Sequence, residues 1–204
     1  MAGIDTNRVR SNLERVRERI GNTVEICAAI KYVDADDLPA LAEAGITLVG
    51  ENRAQELIAK QDEHRDLFEW DFIGALQSRK VKDVAPRVRI IHSVASESAL
   101  GQLEKHSAKE ILIQVNVAGE EGKAGIAPQD LGDFVARSPV TVAGLMTMPP
   151  FTENPEDSRP HFARLAELAA EQGLRRLSMG TSQDYEVAVE EGATIVRLGS
   201  VLYE

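Results

Sequence analysis

The sequence predicts an α/β protein with a single (β/α)8 TIM barrel, in which eight parallel strands alternate with helices. Two observations carry this prediction: eight short apolar runs recur along the chain, and stretches of helical period separate them. Most of the runs are continuously apolar, which is typical of strands covered on both faces. An open doubly wound sheet is the alternative, and the count of eight strands favours the closed barrel.

The predicted strands extend from the run EICAAIK to the run TIVRLGS. They cover residues 25–31, 47–52, 69–74, 89–94, 110–117, 141–147, 175–180 and 194–200. The helical stretches between them cover residues 35–44, 51–62, 77–84, 96–107, 128–137, 156–172 and 183–191. Prolines lie mostly near the edges of these stretches, as expected for helix boundaries. We expect no eighth helix after the last strand.

A further amphipathic segment, Thr6–Ile20, precedes the first strand. Its apolar residues recur at intervals of three and four, as in a helix with one buried face: Val9, Leu13, Val16 and Ile20. We expect the N-terminal helix in residues 1–20 to pack on the barrel across the seam between strands eight and one. No linker divides the chain, so residues 1–204 are interpreted as one domain.

Composition restricts the partners. The chain has 23 Lys and Arg against 33 Asp and Glu, and the formal net charge of −10 disfavours nucleic acid and anionic membranes. No apolar run reaches the roughly 18 residues that span a bilayer, and the charged N-terminal segment lacks the apolar core of a secretory signal. The single cysteine, Cys27, is expected in the core of a cytoplasmic protein. The histidines show no metal-ligand spacing, so no metal is expected.

In such barrels the chemistry lies at the carboxyl ends of the strands. Gly180, Thr181 and Ser182 follow strand seven, while Gly199 and Ser200 follow strand eight. Hydroxyls and backbone N–H groups at these two loops, beside a helix N-terminus, are typical of a phosphate cradle. Helix capping by Thr181 with Asp184 explains part of the same pattern without any ligand. Arg197 is open to two interpretations, a ligand contact or a structural ion pair.

Lys31 ends the first predicted strand. A lysine at this position can simply extend its ammonium group into water. A desolvated lysine, however, loses its proton readily and becomes a nucleophile toward carbonyl groups. Opposite a phosphate cradle, such a lysine suits an aldehyde ligand that carries a phosphate.

The chain resembles the pyridoxal phosphate homeostasis protein family, whose members are alanine-racemase-like single-domain barrels. The resemblance rests on the strand-one lysine and on five motifs in family order: VGENRAQE (49–56), FIGALQSRK (72–80), QVNVAGEEGKAGI (114–126), GLMTM (144–148) and LSMGTSQDYEVAVEEGATIVRLGS (177–200).

The resemblance implies a site for pyridoxal 5'-phosphate (PLP), held as a Schiff base on Lys31. It implies that Ser182, Gly199 and Ser200 hold the phosphate, with Ser178, Gly180 and Thr181 nearby. Arg197 would approach the pyridine nitrogen, and Asn52 and Met146 would line the pocket. The chain departs from the family where Ile30 and Tyr32 flank the lysine, at Thr181 and Ser200, and in its final residues LYE.

By this resemblance the protein takes part in intracellular PLP homeostasis as a monomeric carrier without robust turnover, with PLP-dependent apoenzymes as partners. A racemase-like enzyme is the alternative. Related racemases take a second base from an added domain, and this chain offers only Tyr32, Tyr185 and Tyr203. A phosphate-sugar enzyme is a third class, for which Glu51 is the main candidate base.

Overall fold

The eight strands close into a parallel barrel in sequence order, as the sequence predicts. The structure is a computed structural model that describes residues 3–204. The strands are β1 (Glu25–Ala29), β2 (Leu48–Glu51), β3 (Glu69–Phe72), β4 (Ile90–Val94), β5 (Glu110–Gln114), β6 (Val142–Met146), β7 (Arg176–Ser178) and β8 (Ile195–Leu198). They are shorter than the predicted runs, because the carboxyl-terminal residues of several runs leave the sheet and form the loops at the barrel mouth.

Helices surround the barrel, and short 3-10 turns extend several of them. The α-helices are α1 (Thr6–Ile20), α2 (Leu38–Glu43), α3 (Ala54–His64), α4 (Val81–Val84), α5 (Glu97–Leu103), α6 (Leu131–Ala136), α7 (Arg159–Glu171), α8 (Tyr185–Glu190) and α9 (Ser200–Tyr203). A single helical turn, α9, follows β8 in place of a full-length eighth helix. Within residues 3–204, no helix is long and apolar enough to cross a membrane.

Helix α1 has the bounds that its apolar spacing predicts. Asp5 caps it by accepting hydrogen bonds from the backbone N–H groups of Asn7 and Arg8. One face buries Val9, Val16 and Ile20, and the helix contacts α8, α9 and α2. Its buried Asn12 donates a hydrogen bond from Nδ2 to the carbonyl oxygen of Leu202 in α9 at 3.1 Å. Helix α1 therefore occupies the position that a full-length eighth helix has in other barrels of this kind.

Alternation along the strands decides which side chains fill the barrel. An apolar interior cluster is formed by Cys27, Leu48, Ile90, Leu112, Met146 and Ile195. The residues between them face outward and join the larger core beneath the helices. Cys27 is fully buried, as expected. Side chains two residues apart on a strand point to the same side. The inward residue near the start of a strand therefore indicates which later residue of that strand points into the barrel mouth.

Candidate functional site

A pocket of about 630 Å³ lies at the carboxyl ends of the strands, within the usual range of about 300–1,000 Å³ for small-molecule sites. The loops after β1, β2, β7 and β8 form most of its walls. They bring together residues that lie far apart in the sequence: Lys31, Asn52, Thr181, Ser182, Arg197, Gly199 and Ser200. The structure thus gathers most of the predicted site residues around one cavity.

Lys31 reaches this pocket because of its place in the alternation. Cys27 faces the barrel interior, so Ala29 and Lys31 follow on the same side of the chain. Ala29 pairs with Gly50, and Lys31 and Asn52, each two residues further along, both line the pocket. Lys31 itself lies in a turn beyond β1 and is exposed, with its Nζ 4.6 Å from the centre of the Tyr32 ring. The ammonium group is therefore accessible from solvent at the pocket wall.

Ser182 links the loops that follow β7 and β8. Its Oγ accepts hydrogen bonds from the backbone N–H groups of Gly199 at 3.0 Å and Val201 at 3.3 Å. Because both bonds use the oxygen as acceptor, the hydroxyl proton of Ser182 remains available for a ligand. Ser200 lines the pocket beside it. The two loops thus form one wall with hydroxyl donors.

Thr181 has a local structural role. Asp184 Oδ1 accepts hydrogen bonds from the Thr181 backbone N–H at 2.7 Å and from its hydroxyl at 3.1 Å. This is the cap-type contact that the sequence suggests, and it occupies the Thr181 hydroxyl. Helix α8 has only six residues, so the donors of this wall are hydroxyls and loop N–H groups, not a long helix N-terminus.

Three of the predicted site residues lie below the pocket lining. Met146 belongs to the apolar interior cluster, and Met148 lines the pocket instead. Gly180 has a φ of 90°, and a Cβ there would lie 2.6 Å from Cβ of Ala188. A side chain at Gly180 would therefore push β7 away from α8. Ser178 is buried at the end of β7, where it contacts Arg197.

Arg197 points into the barrel, because it shares the inward side of β8 with Ile195. Its Nη1 donates to Ser178 Oγ at 2.6 Å, and its Nη2 donates to the Thr147 carbonyl oxygen at 2.9 Å. Burial lowers the pKa of Arg197 to about 10, which leaves the guanidinium charged at neutral pH. Arg197 makes no salt bridge within residues 3–204. The guanidinium is thus a buried cation at the pocket floor with N–H groups left to donate.

A chain of buried hydrogen bonds runs from Arg197 through the barrel. Burial lowers the pKa of His92, so its imidazole is neutral and carries one proton. An ionised Asp71 can only accept, so this proton lies on Nε2, which donates to Asp71 Oδ2 at 3.0 Å. Nδ1 therefore accepts from the hydroxyl of Ser178, 2.8 Å away, and Ser178 in turn accepts from Arg197. We name Arg197, Ser178, His92 and Asp71 the barrel relay.

At the amino-terminal end of the barrel, Arg89 balances the negative charge of Asp71 in the relay. Arg89 donates to both carboxylate oxygens of Asp71, at 3.1 Å from Nε and 2.8 Å from Nη2. Burial raises the pKa of Asp71, but the hydrogen bonds from His92 and Arg89 outweigh it and leave the pKa below its ordinary value. Burial also lowers the pKa of His92. The relay therefore combines an ionised carboxylate with a neutral histidine.

Glu51 points away from the pocket. It is fully buried, and its Oε2 lies 2.6 Å from Nζ of Lys60 in α3. The same ammonium group donates to the carbonyl oxygen of Ile30 at 2.7 Å. Glu51 Oε1 also accepts from the backbone N–H of Asn52 at 2.6 Å. This arrangement, which we name the Glu51–Lys60 clamp, connects the backbone next to Lys31 with the backbone at Asn52.

Two buried polar atoms at the pocket lack a hydrogen-bond partner within residues 3–204. They are Oδ1 of Asn52 and the hydroxyl oxygen of Tyr203. A buried polar atom without a partner is costly, so each such atom favours a ligand that supplies one. Asn52 was among the predicted site residues, whereas Tyr203 was not.

The comparisons with known proteins agree on one family. The model of the alanine racemase N-terminal domain matches residues 4–204. The pyridoxal phosphate homeostasis protein of Aquifex aeolicus (strain VF5) is 41% identical over 216 residues, which cover 97% of this chain and 95% of the relative. Two structures of PipY from Synechococcus elongatus PCC7942 are each 31% identical and cover 96% of this chain and 100% of PipY. The structure without PLP has a TM-score of 0.89 and that with PLP bound a TM-score of 0.86.

The first prediction concerns the Glu51–Lys60 clamp. Lys60→Met leaves a buried carboxylate without its cation, so we expect the free energy of unfolding to fall by about 3–5 kcal/mol. Adding Glu51→Gln removes the unpaired charge, and the double variant should recover part of that loss. Urea denaturation measures both. Lys82→Met, at an exposed lysine of α4, is the control and should change stability by less than about 0.5 kcal/mol. A loss below about 1 kcal/mol in Lys60→Met contradicts the clamp.

The second prediction concerns His92 and pH. Because its pKa is lowered in the folded state, the unfolded chain binds more protons below about pH 6.5, and stability falls as the pH falls. His92→Asn removes this titration. In this variant we expect the slope of the unfolding free energy against pH to be smaller than in the wild type, by up to about 1.4 kcal/mol per pH unit. Denaturant titrations between about pH 7 and about pH 5 measure the slopes, with His106→Gln as control. Equal slopes in wild type and His92→Asn contradict a neutral buried His92.

Proposed function

The chain belongs to the family of the alanine racemase N-terminal domain and the pyridoxal phosphate homeostasis proteins, and we propose that it binds pyridoxal 5'-phosphate as a carrier. One observation carries the proposal: the pocket places an accessible lysine, a buried arginine and a wall of hydroxyl donors around one cavity. An aldehyde, a ring nitrogen and a phosphate are the ligand groups that suit these side chains.

The residues present fit this ligand. The unpartnered Oδ1 of Asn52 is an acceptor beside Lys31, and the free proton of Ser182 is a donor at the opposite wall. Ser182, Gly199 and Ser200 are proposed to bind the phosphate. Thr181 contributes less than the resemblance implies, because Asp184 already accepts its hydroxyl proton. Ser178 and Gly180 act from below the pocket, one by orienting Arg197 and the other by letting β7 approach α8.

Lys31 is proposed as the point of attachment. When bound, the cofactor would supply an aldehyde carbon, and the unprotonated amine of Lys31 would condense with it to a Schiff base with loss of one water. The protein itself contributes the position of the Lys31 amine. The Glu51–Lys60 clamp holds the Ile30 carbonyl next to the lysine, and the exposed turn leaves the side chain free to approach or leave a ligand.

Arg197 argues against strong carbanion chemistry. A guanidinium donates hydrogen bonds and accepts none, so a ring nitrogen in contact with it must be the acceptor and carry no proton. The barrel relay holds Arg197 in this orientation from below. A pyridine nitrogen without a proton withdraws electrons weakly, and this favours a carrier over an enzyme with robust turnover.

Within residues 3–204, neither enzymatic alternative has a suitable base. Racemisation requires a second acid–base group facing the ligand from the side opposite the lysine. Tyr32 lies beside Lys31 itself, Tyr185 lies outside the pocket lining, and burial raises the pKa of Tyr203, so its hydroxyl stays protonated at neutral pH. A phosphate-sugar enzyme would need the carboxylate of Glu51, but this group is bound to Lys60 outside the pocket. The resemblance alone supports the further proposal that the carrier is monomeric and cytoplasmic and supplies PLP to apoenzymes.

The third prediction tests attachment. Purified protein mixed with PLP should gain a visible absorption band from the Schiff base, and this band should disappear on reduction. Lys31→Ala should show no band, whereas Lys82→Ala should match the wild type. Absorption spectra of the three proteins, before and after removal of free ligand, measure this. A wild-type protein without the band, or an undiminished band in Lys31→Ala, contradicts the proposal. Interconversion of alanine enantiomers that depends on Lys31 would replace the carrier with a racemase.

A further inference from the structure

Tyr203 adds a third hydroxyl to the pocket. It is the last residue of the single turn α9, which begins at Ser200. Residues three apart in a helical turn lie on one face, so Tyr203 and Ser200 face the same side. Both line the pocket, together with Ser182. Three hydroxyl-bearing side chains thus line one cavity.

The Tyr203 hydroxyl is buried and has no hydrogen-bond partner within residues 3–204. An orphaned hydroxyl in an apolar setting destabilises the free protein, and a phenylalanine would fill the same space without that penalty. The other pocket tyrosine, Tyr32, is 74% exposed and has water available. Tyr203 therefore has a polar group whose partner is not supplied by the described protein.

An acceptor is the partner that best satisfies this hydroxyl. Burial raises the pKa of the Tyr203 hydroxyl far above its ordinary value, and the nearby Cys27 thiol adds to this rise. The group therefore keeps its proton and acts as a donor at neutral pH. Anionic oxygens are the strongest acceptors for a neutral O–H donor, and the bonds they form are about twice as strong as those between neutral groups.

We propose that Tyr203 is a ligand-contact residue that donates its hydroxyl proton to an oxygen of the bound phosphate monoester, alongside Ser182 and Ser200. This inference rests on the proposed function and extends it. The hydroxyl would add a phosphate donor that a phenylalanine cannot provide.

The test compares Tyr203→Phe with the wild type, with Tyr185→Phe as the matched control. Tyr185 lies in α8, buried but outside the pocket lining. Dissociation constants are measured by fluorescence titration for PLP and for pyridoxal, which lacks the phosphate. We expect Tyr203→Phe to weaken PLP binding about tenfold or more and to leave pyridoxal binding unchanged. Tyr185→Phe should bind both ligands like the wild type.

A second measurement separates a ligand contact from a structural role. Without ligand, Tyr203→Phe should have a melting temperature equal to or above that of the wild type, because it removes an unpartnered buried hydroxyl. A lower melting temperature would show that the hydroxyl has a partner in the protein and would overturn the inference.

The binding outcomes also distinguish this inference from the proposed function. Unchanged PLP affinity in Tyr203→Phe, or an equal loss for PLP and pyridoxal, overturns the role of Tyr203 while the carrier function stands. A wild-type protein that binds neither ligand overturns the proposed function itself, and with it the role of Tyr203.

Discussion

The pairing of the first strand with the last is the interaction on which the site depends. In the register of β1 and β8, Cys27 lies beside Arg197 and Ala28 beside Leu198. This pairing brings Lys31, near the start of the chain, to the loop that carries Gly199 and Ser200. Without closure of the barrel, the lysine and the wall of hydroxyl donors would lie at opposite edges of an open sheet. Closure therefore creates the pocket as well as removing the sheet edges.

A closed barrel also requires its interior to be filled, and this chain fills it partly with polar groups. Asp71, His92, Ser178 and Arg197 are all buried and satisfy one another in a single direction. A buried polar network that is fully bonded holds its members in one arrangement, whereas removing one member leaves the next unpaired. The relay thus connects the orientation of Arg197 at the mouth with the ion pair of Asp71 and Arg89 near the opposite end.

The sequence predicted those features that follow from period and chain order. Eight apolar runs predicted the barrel, and the positions of Lys31 and Ser182 at run ends predicted that they meet at its mouth. Side-chain direction near strand ends was harder to predict. Met146 and Met148 share one motif, and only the structure shows that Met148 reaches the pocket while Met146 fills the interior. The end of strand two makes Glu51 a candidate base by position, but its contact with Lys60 from α3 shows that it faces outward.

Contacts between elements that are distant in the chain could not be predicted from the sequence. Asp71 and His92 are polar residues within apolar strands. This pattern shows that they are unusual, but it does not indicate which residues they contact. Their bond depends on how β3 and β4 place inward side chains. Tyr203 was one of three tyrosines considered as a base, and nothing in the sequence indicated that its hydroxyl would be buried without a protein partner. Long-range geometry of this kind appears only when the chain is folded.

Covalent attachment at Lys31 is the central claim, and chemical trapping tests it most directly. The protein is incubated with PLP, reduced with borohydride, digested, and mapped by mass spectrometry. The account predicts one reduced phosphopyridoxyl group per chain, on the peptide that contains Lys31. A label on other lysines with Lys31 unmodified would contradict it.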